Sequence, residues 1–131
     1  VGGFKIIPNI IGVVSVINTT PPNKVENEIN KLLNDYNSRD NITLEDIIDF
    51  HYKFELIHPF GDGNGRIGRI IMFKECLKNN IMPFIVLDSD KSYYMRGLKE
   101  YHNDKMFLID TIKHEQDIYE EICSKLLDFE I

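Results

Sequence analysis

The sequence predicts an all-α domain that carries one small β-hairpin near its N-terminus. From Asn23 onward, apolar residues recur at the three- and four-residue spacing of amphipathic helices. Short β-branched runs occur before that point, and polar or Gly- and Pro-containing segments separate the periodic stretches. The length of 131 residues is typical of one domain with one core. We therefore expect residues 1–131 to form a single compact helical bundle.

Composition limits the classes of partner. Hydrophobic residues make up 43% of the chain, charged residues 27%, and no apolar run approaches the roughly 18 residues of a membrane span. The formal net charge of −6 argues against nucleic-acid binding, so any anion site must be local. Cys76 and Cys123 form no CxxC pair and fit reduced thiols in the cytoplasm. We expect neither a membrane nor a nucleic-acid partner.

Two β-branched runs near the N-terminus, residues 4–7 and 13–17, predict the strands of the hairpin. Pro8, Asn9 and Gly12 supply turn chemistry between them. An isolated two-stranded hairpin is marginal in water. The hairpin must therefore pack on the helical body or bind a ligand segment along its edge.

The first two helices have readable starts and ends. Asn23 is the predicted cap of a helix whose apolar stripe comprises Val25, Ile29, Leu32, Leu33 and Tyr36. Thr43 followed by Asp46 resembles a capping box and predicts the start of a second helix. This helix should end near Ile57, because Pro59 disfavours the helical conformation of the residue before it.

Three further helices follow. One begins at about Gly65 and is apolar on nearly all sides, which is typical of a central helix. Residues 88–90 can cap the next helix, which runs through Tyr101, and the last extends from about Lys105 to Leu127.

The glycine-rich loop between the second and third helices has the chemistry of a phosphate site. Its residues 58–66 read HPFGDGNGR, and Gly61, Gly63 and Gly65 alternate with larger residues. Glycines permit positive φ and let the backbone approach a ligand closely. The loop leads directly into a helix, whose first N–H groups and dipole favour an anion.

The side chains of this loop add catalytic and metal-binding groups. Arg66 and Arg69 lie three residues apart, so both guanidinium groups can clamp phosphate oxygens. Asp62 supplies a carboxylate suited to Mg²⁺ when phosphates are present. Asn64 can donate a hydrogen bond to a phosphate oxygen, and His58 can act as a general base near neutral pH.

Each of these features alone also has a structural explanation, such as an ordinary turn or a solvated arginine. Their combination within residues 58–69, in the order that one reaction needs, favours a nucleotide-phosphate site. These residues match the signature HPFx(D/E)GNGRxxR at every defined position. The chain thereby resembles the Fic (filamentation induced by cAMP) family. The hairpin, the Pro21-Pro22 turn and Tyr94 with Leu98 extend this resemblance over essentially the whole chain.

The resemblance implies a protein adenylyltransferase, which moves AMP from Mg-ATP to a Ser, Thr or Tyr hydroxyl of a target protein and releases pyrophosphate. It implies that His58 deprotonates this hydroxyl and that Asp62 holds Mg²⁺ across the α- and β-phosphates. By the same resemblance, Asn64 and the backbone N–H groups of Gly63 and Gly65 form an anion hole.

Further roles follow from the resemblance alone. Arg66 and Arg69 would contact the β- and γ-phosphates. Tyr94, with His102 or Asn103, would line the adenine pocket, although related domains commonly have Asn near the position of His102. The hairpin would be a flap that aligns the target by strand addition. Its expected docking edge comprises Ile11, Gly12, Val13 and Val14.

Several other functions share such a loop. Some related enzymes remove AMP, and others transfer phosphocholine or UMP. The Doc branch phosphorylates its target and typically has Lys where this chain has Gly65, so Gly65 favours nucleotidyl transfer. A function of a different class is a module that binds nucleotide without turnover. The intact His58 and Asp62 argue against such a module.

Regulation is the open part of this interpretation. Fic enzymes are often inhibited by a helix in which Ser or Thr precedes Glu by four residues and Gly or Asn follows. The Glu pairs with the second motif arginine, here Arg69. The nearest match, residues 124–129, has Asp128 and Phe129 at the last two positions and does not satisfy the pattern. The chain starts at Val1 without Met, so we expect a catalytic core truncated at its N-terminus. The inhibitory helix would then lie upstream or belong to an antitoxin-like partner, and pairing into homodimers is common in the family.

Overall fold

The computed structural model describes residues 3–11 and 17–130, with the backbone alone at 17, 129 and 130. Within these ranges, helices dominate, which confirms the predicted all-α fold class. The elements are β1 (Ile10–Ile11), β2 (Ile17–Asn18), α1 (Val25–Asn37), α2 (Leu44–Ile57), α3 (Asn64–Lys78), α4 (Lys91–Glu100) and α5 (Met106–Glu130). Across the described ranges, none of these helices combines the length and the apolar character that a membrane crossing requires.

The chain divides into two compact units, Val1–Met72 and Phe73–Ile131. The boundary falls inside α3, so the first unit holds β1, β2, α1, α2 and the start of α3. The second unit holds the end of α3 together with α4 and α5. The single-domain organisation stays a prediction.

The hairpin differs from its prediction. β1 and β2 are antiparallel, with Ile10 opposite Asn18 and Ile11 opposite Ile17. The strand predicted at residues 4–7 is wrong, as is the turn at residues 8–9, whereas residues 12–16 lie outside the described residues. Ile6 is fully exposed, and the N–H of Lys5 donates to the carbonyl of Pro59 at 2.7 Å, a residue of the glycine-rich loop. β-propensity reflects packing on a sheet, and this segment packs on a loop instead.

The core of the first unit forms where α1 packs against α2. Its buried cluster comprises Val25, Ile29, Leu32, Tyr36, Phe50, Phe54 and Ile57. The predicted α1 stripe is confirmed except for Leu33, which is exposed. The cap predicted at Asn23 is wrong, because Asn23 lies in a 3₁₀ turn, Pro22–Lys24, and no side chain caps α1.

Both ends of α2 follow the prediction. The Thr43 hydroxyl accepts a hydrogen bond from the Asp46 N–H at 3.2 Å, and the Asp46 carboxylate accepts one from the Thr43 N–H at 3.0 Å. This reciprocal capping box satisfies two helix-end donors. The helix ends at Ile57, and His58 adopts a left-handed conformation with φ 49° and ψ 61°. Local sequence therefore places His58 at the helix–loop junction.

The start of α3 agrees with the prediction to within one residue. Its expected burial on nearly all sides is wrong. Met72 and Cys76 are buried, but Ile70 is 67% exposed and Leu77 is 57% exposed. An apolar composition around a helix does not by itself supply a partner for every face.

In the second unit, α4 packs against α5. Their close approach requires Gly97, since a Cβ atom there would lie 2.7 Å from the Cα atom of Leu108. The buried side chains of the pair include Tyr94, Leu98, Tyr101, Leu108, Ile109 and Ile112. The side-chain cap predicted from residues 88–90 is wrong, because they form a 3₁₀ turn and Asp90 caps α4 without a side-chain hydrogen bond.

Candidate active site

His58 stands at the end of α2, where its left-handed backbone turns the chain into the glycine-rich loop. A non-glycine residue in this conformation is uncommon and stores strain. Its Nδ1 atom lies 4.0 Å from Oε2 of Glu55, on the preceding turn of α2. Burial and then the positive charge of Lys5 hold the pKa of His58 below its usual value, while the Glu55 backbone acts oppositely. The imidazole is therefore neutral at physiological pH, as a general base must be.

The loop itself uses one of its three glycines for a positive φ. Gly63 has φ 78°, so it alone of the three adopts the positive φ that glycine permits. The N–H of Gly63 donates to Oδ1 of Asp62 at 2.8 Å. This bond fixes the Asp62 carboxylate at the exposed tip of the loop.

Asn64 is the first residue of α3 and is 2% exposed. Its Oδ1 accepts from the N–H of Phe60 at 2.8 Å, and its Nδ2 donates to the carbonyl of Phe60 at 2.9 Å. Both ends of the amide thus bind the loop backbone. One Nδ2 hydrogen remains, so the predicted contact with phosphate stays a prediction.

The two arginines fold back over the loop glycines. A Cβ atom at Gly63 would lie 3.4 Å from Nη2 of Arg66, and one at Gly65 would lie 2.9 Å from Nη1 of Arg69. Glycine at 63 and 65 thus leaves room for both guanidinium groups beside the loop backbone. Ile67 donates the first hydrogen bond of this turn, to the carbonyl of Gly63 at 3.0 Å. The amides that precede Ile67 in the first turn have no helical acceptor and can donate to an anion.

The donor set fits Mg²⁺ only together with a nucleotide. Asp62 is exposed, and one of its oxygens is held by Gly63 while the other is left for an ion. Residues 3–11 and 17–130 hold no group of three or more His, Cys, Asp or Glu side chains that could bind a metal by themselves. Mg²⁺ often binds through one carboxylate, phosphates and water.

The structure adds three residues below the loop that the sequence interpretation missed. His51 and Glu55, on α2, are buried, and a Cβ atom at Gly68 would lie 2.6 Å from Oε1 of Glu55 and 3.0 Å from the His51 ring. Burial lowers the pKa of His51 to about 3 and raises that of Glu55 to about 7. The positive charge of Arg69 lowers the pKa of His51 further, and it partly offsets the increase in the pKa of Glu55. The available signal was the spacing of His51, Glu55 and His58, which lie four and then three residues apart along α2 and its C-terminal end.

Three polar residues of the N-terminal segment were also missed. Lys5, Asn9 and Thr19 bond one another, and Lys5 and Asn9 also bond the backbone of residues 57–60. Lys5 is 5% exposed, which is rare for a lysine unless it is fully paired. No sequence signal connects these residues to a loop about fifty positions later, because the contact depends on the chain path.

The remaining predicted site residues are those of the adenine pocket and those of the flap edge. Tyr94 is buried in the second unit, whereas His102 and Asn103 lie exposed in the turn after α4. Their role in an adenine pocket stays a prediction. Of the predicted flap edge, Ile11 is buried in β1, and Gly12, Val13 and Val14 lie outside the described residues.

Known proteins resemble this chain in sequence. The Fic/DOC family description matches residues 12–76. A probable protein adenylyltransferase of Aquifex aeolicus is 30% identical over 99 residues, which cover 75% of this chain and 30% of that protein. The protein adenylyltransferase Fic of Drosophila melanogaster is 32% identical over 74 residues, covering 53% of this chain and 15% of that protein. The chain thus spans less than a third of the length of these relatives.

Solved structures share the fold. A Fic-domain-containing signaling protein of Bacteroides thetaiotaomicron aligns with a TM-score of 0.77 at 22% identity, covering 91% of this chain and 51% of that one. A Fic family protein of Desulfovibrio desulfuricans aligns with a TM-score of 0.75 at 25% identity, covering 95% of this chain and 41% of that one. With the intact loop of residues 58–66, the match of residues 12–76 to the Fic/DOC family establishes that the chain belongs to this family.

Proposed function

We propose that this protein is a protein adenylyltransferase, which transfers AMP from ATP to a hydroxyl group of a target protein. The observation that carries the proposal is the placement of a neutral histidine, His58, at the entrance of a loop that holds Asp62 and two guanidinium groups. The names of the relatives from Aquifex aeolicus and Drosophila melanogaster support the same reaction. The target protein would dock beside the loop, through the hairpin edge.

His58 acts as the general base in this proposal. Its Nδ1 faces Glu55 in the interior, so Nε2 is the nitrogen that accepts the proton of the target hydroxyl. The hydroxyl oxygen forms a bond to the α-phosphorus as the bond from that phosphorus to the β-phosphate oxygen breaks. The products are a phosphodiester-linked AMP on the target, pyrophosphate, and a protonated His58.

The loop residues bind and orient the triphosphate. Arg66 and Arg69 clamp its oxygens, and the free amides of the first turn of α3 donate to the phosphate on which charge builds up. Asp62 would hold Mg²⁺, which neutralises phosphate charge when it is bound. Tyr94, His102 and Asn103 remain the proposed adenine contacts.

Labelled ATP tests the reaction. Incubation of the protein and a cell lysate with ATP labelled at the α-phosphate should label protein, whereas ATP labelled at the γ-phosphate should not. Mass spectrometry of the labelled protein should show AMP and identify the hydroxyl that carries it. His58→Ala should lower the labelling by about 10²- to 10⁴-fold while ATP still binds.

His114→Ala is the matched control, since His114 is exposed and lies in the second unit. It should label normally. Label from the γ-phosphate would instead establish a kinase, and loss of AMP from a modified target would establish the reverse reaction. ATP binding without any turnover would establish a nucleotide-binding module and would contradict the proposal.

A further inference from the structure

The backbone on both sides of His58 is held by two residues of the N-terminal segment, Lys5 and Asn9. The carbonyl of Ile57 accepts from Nζ of Lys5 at 3.2 Å, and the carbonyl of Pro59 accepts from the backbone N–H of Lys5 at 2.7 Å. Nδ2 of Asn9 donates to the carbonyl of His58 at 3.3 Å and to that of Phe60 at 3.0 Å. Four successive carbonyls, 57 to 60, are thus bound by Lys5 and Asn9.

The ammonium group of Lys5 is fully paired. Its three acceptors are the side-chain oxygens of Asn9, at 2.5 Å, and Thr19, at 2.9 Å, and the carbonyl of Ile57. An ammonium has three N–H donors, whereas a neutral amine has two. Three acceptors around one buried nitrogen therefore match the charged form, although burial lowers the pKa of Lys5 from its usual value.

The side chains of Asn9 and Thr19 complete a closed network. The Thr19 hydroxyl accepts from Lys5, and it lies 2.6 Å from Oδ1 of Asn9 and 2.5 Å from its carbonyl, either of which can accept its proton. With Oδ1 of Asn9 accepting, its Nδ2 is directed to the loop. A buried polar network that is satisfied in this way is rigid and defines one backbone arrangement.

This network lies beside His58, a residue whose backbone conformation is strained. The left-handed conformation of His58 is disfavoured for residues with a Cβ atom. It persists where neighbouring structure determines it. The bonds to the carbonyls of Ile57 and Pro59 lie directly before and after His58.

We propose that Lys5 and Asn9 form a clamp that positions His58, and that the buried charge of Lys5 is part of how the imidazole is prepared to accept a proton. The clamp consists of Lys5, through its ammonium group and its backbone N–H, and the side chain of Asn9, with the carbonyls of residues 57 to 60 as acceptors. Its catalytic meaning rests on the proposed function, whereas its effect on the titration of His58 does not.

Electrostatics support this role. Two neighbouring ionisable groups are identified beside the imidazole: Glu55, from α2, and Lys5, from the N-terminal segment. The charge of Lys5 disfavours a second positive charge on His58 and lowers its pKa. Removal of that charge should therefore raise the pKa of His58. A lysine whose charge does not reach the imidazole would not produce this shift.

The test titrates His58 by NMR in the intact protein without ATP or target, and measures AMP transfer against pH in parallel. Lys5→Met should raise the pKa of His58 and move the acidic limb of the transfer rate to higher pH by the same amount. A shift of one unit lowers transfer about tenfold on that limb. Lys5→Arg should retain the wild-type titration, because it retains the charge. Lys24→Met removes an exposed charge of the same unit and should change neither measurement.

Asn9→Ala provides a second route, since it removes two carbonyl contacts and one acceptor of the Lys5 ammonium but leaves the lysine itself in place. It should lower kcat for transfer about tenfold with little change in KM for ATP, and it serves even if Lys5→Met does not fold. An unchanged His58 titration in Lys5→Met, or an unchanged kcat in Asn9→Ala, would overturn the clamp. If the wild-type protein transfers no AMP, the proposed function fails while the titration still decides the charge effect.

Discussion

Each of the two compact units contains a buried glutamate with a raised pKa, and the main cause of the increase is the same in both. Glu55, on α2 of the first unit, is 4% exposed, and Glu115, on α5 of the second unit, is 1% exposed. Burial is the largest cause in both cases and raises each pKa to about 7. Burial raises the pKa of a carboxyl group wherever the group lies, because the charged form loses its hydration.

Their neighbours differ. Glu55 lies 4.0 Å from the imidazole of His58, and the charge of Arg69 partly opposes its shift. Glu115 instead has Asp90 beside it, which adds to the shift. A perturbed pKa therefore indicates burial in both units, and only the motif residues around Glu55 connect it to chemistry.

The largest expected difference between the two glutamates is in catalysis. Glu55→Gln should lower AMP transfer at pH 8 by about 50-fold, equal to about 2.3 kcal/mol of transition-state stabilisation. The reason is that His58 gains a proton in the proposed reaction, and an ionised Glu55 would stabilise the resulting imidazolium. Glu115→Gln should leave the transfer rate of the folded protein unchanged. Equal losses in both variants would contradict a special role for Glu55.

Gly68, beside Glu55, and Gly97, beside Leu108, allow a second comparison of the two units, in which the expected change in the free energy of unfolding is about 2 kcal/mol. Gly97→Ala places a methyl group against the Leu108 backbone, so the free energy of unfolding should fall by about 2 kcal/mol, while the folded protein stays active. Gly68→Ala instead displaces Glu55 and should also reduce transfer. Urea unfolding and transfer assays at low temperature separate the two effects.

Ser92→Ala is the control for Gly97→Ala, because Ser92 is exposed on the same helix. It should change neither quantity. A Gly68→Ala protein with full transfer activity would show that the contact with Glu55 is only structural.

The pH dependence of stability should be alike in both units. The pKa of Glu55 rises from 4.5 to about 7 on folding, so the native state holds a proton that the unfolded chain releases between these values. Stability from this group is present below pH 4.5 and is lost as pH rises to about 7, by up to about 1.4 kcal/mol per pH unit. Glu55→Gln and Glu115→Gln should each flatten this slope in urea titrations between pH 4.5 and 7. An unaltered pH dependence of stability in both variants would contradict the raised pKa values of the two glutamates.

The smallest effect separates stability from chemistry within the first unit. Thr43→Ala removes the capping box of α2, the helix that carries Glu55 and ends at His58, and should lower the free energy of unfolding by about 1 kcal/mol. Transfer should persist below the unfolding temperature. Lys24→Ala at the start of α1, where no side-chain cap exists, should leave the melting temperature almost unchanged. A large loss of transfer in Thr43→Ala would show that loss of helix stability alone can imitate the Glu55→Gln effect.

Much of the fold could be predicted because its signals are local. The capping box of Thr43 and Asp46, and the end of α2 before Pro59, depend on groups within one helical turn. The hairpin strand at residues 4–7 was mispredicted for the opposite reason. Its backbone bonds to the loop at Pro59, a partner that β-propensity cannot indicate.

The residues of the candidate site also fall into two groups, those that the local sequence predicts and those that only the fold brings to the loop. By itself, the sequence determined the loop of residues 58–66 and Arg69, because contiguous residues with defined spacing carry its chemistry. Only the tertiary structure placed Lys5 and Asn9 on carbonyls 49 to 54 positions away, and Gly68 against Glu55. Helix caps and glycine turns depend on neighbours within a few bonds of the chain. The contacts that position His58 join segments distant in sequence, and their geometry exists only once the chain has folded.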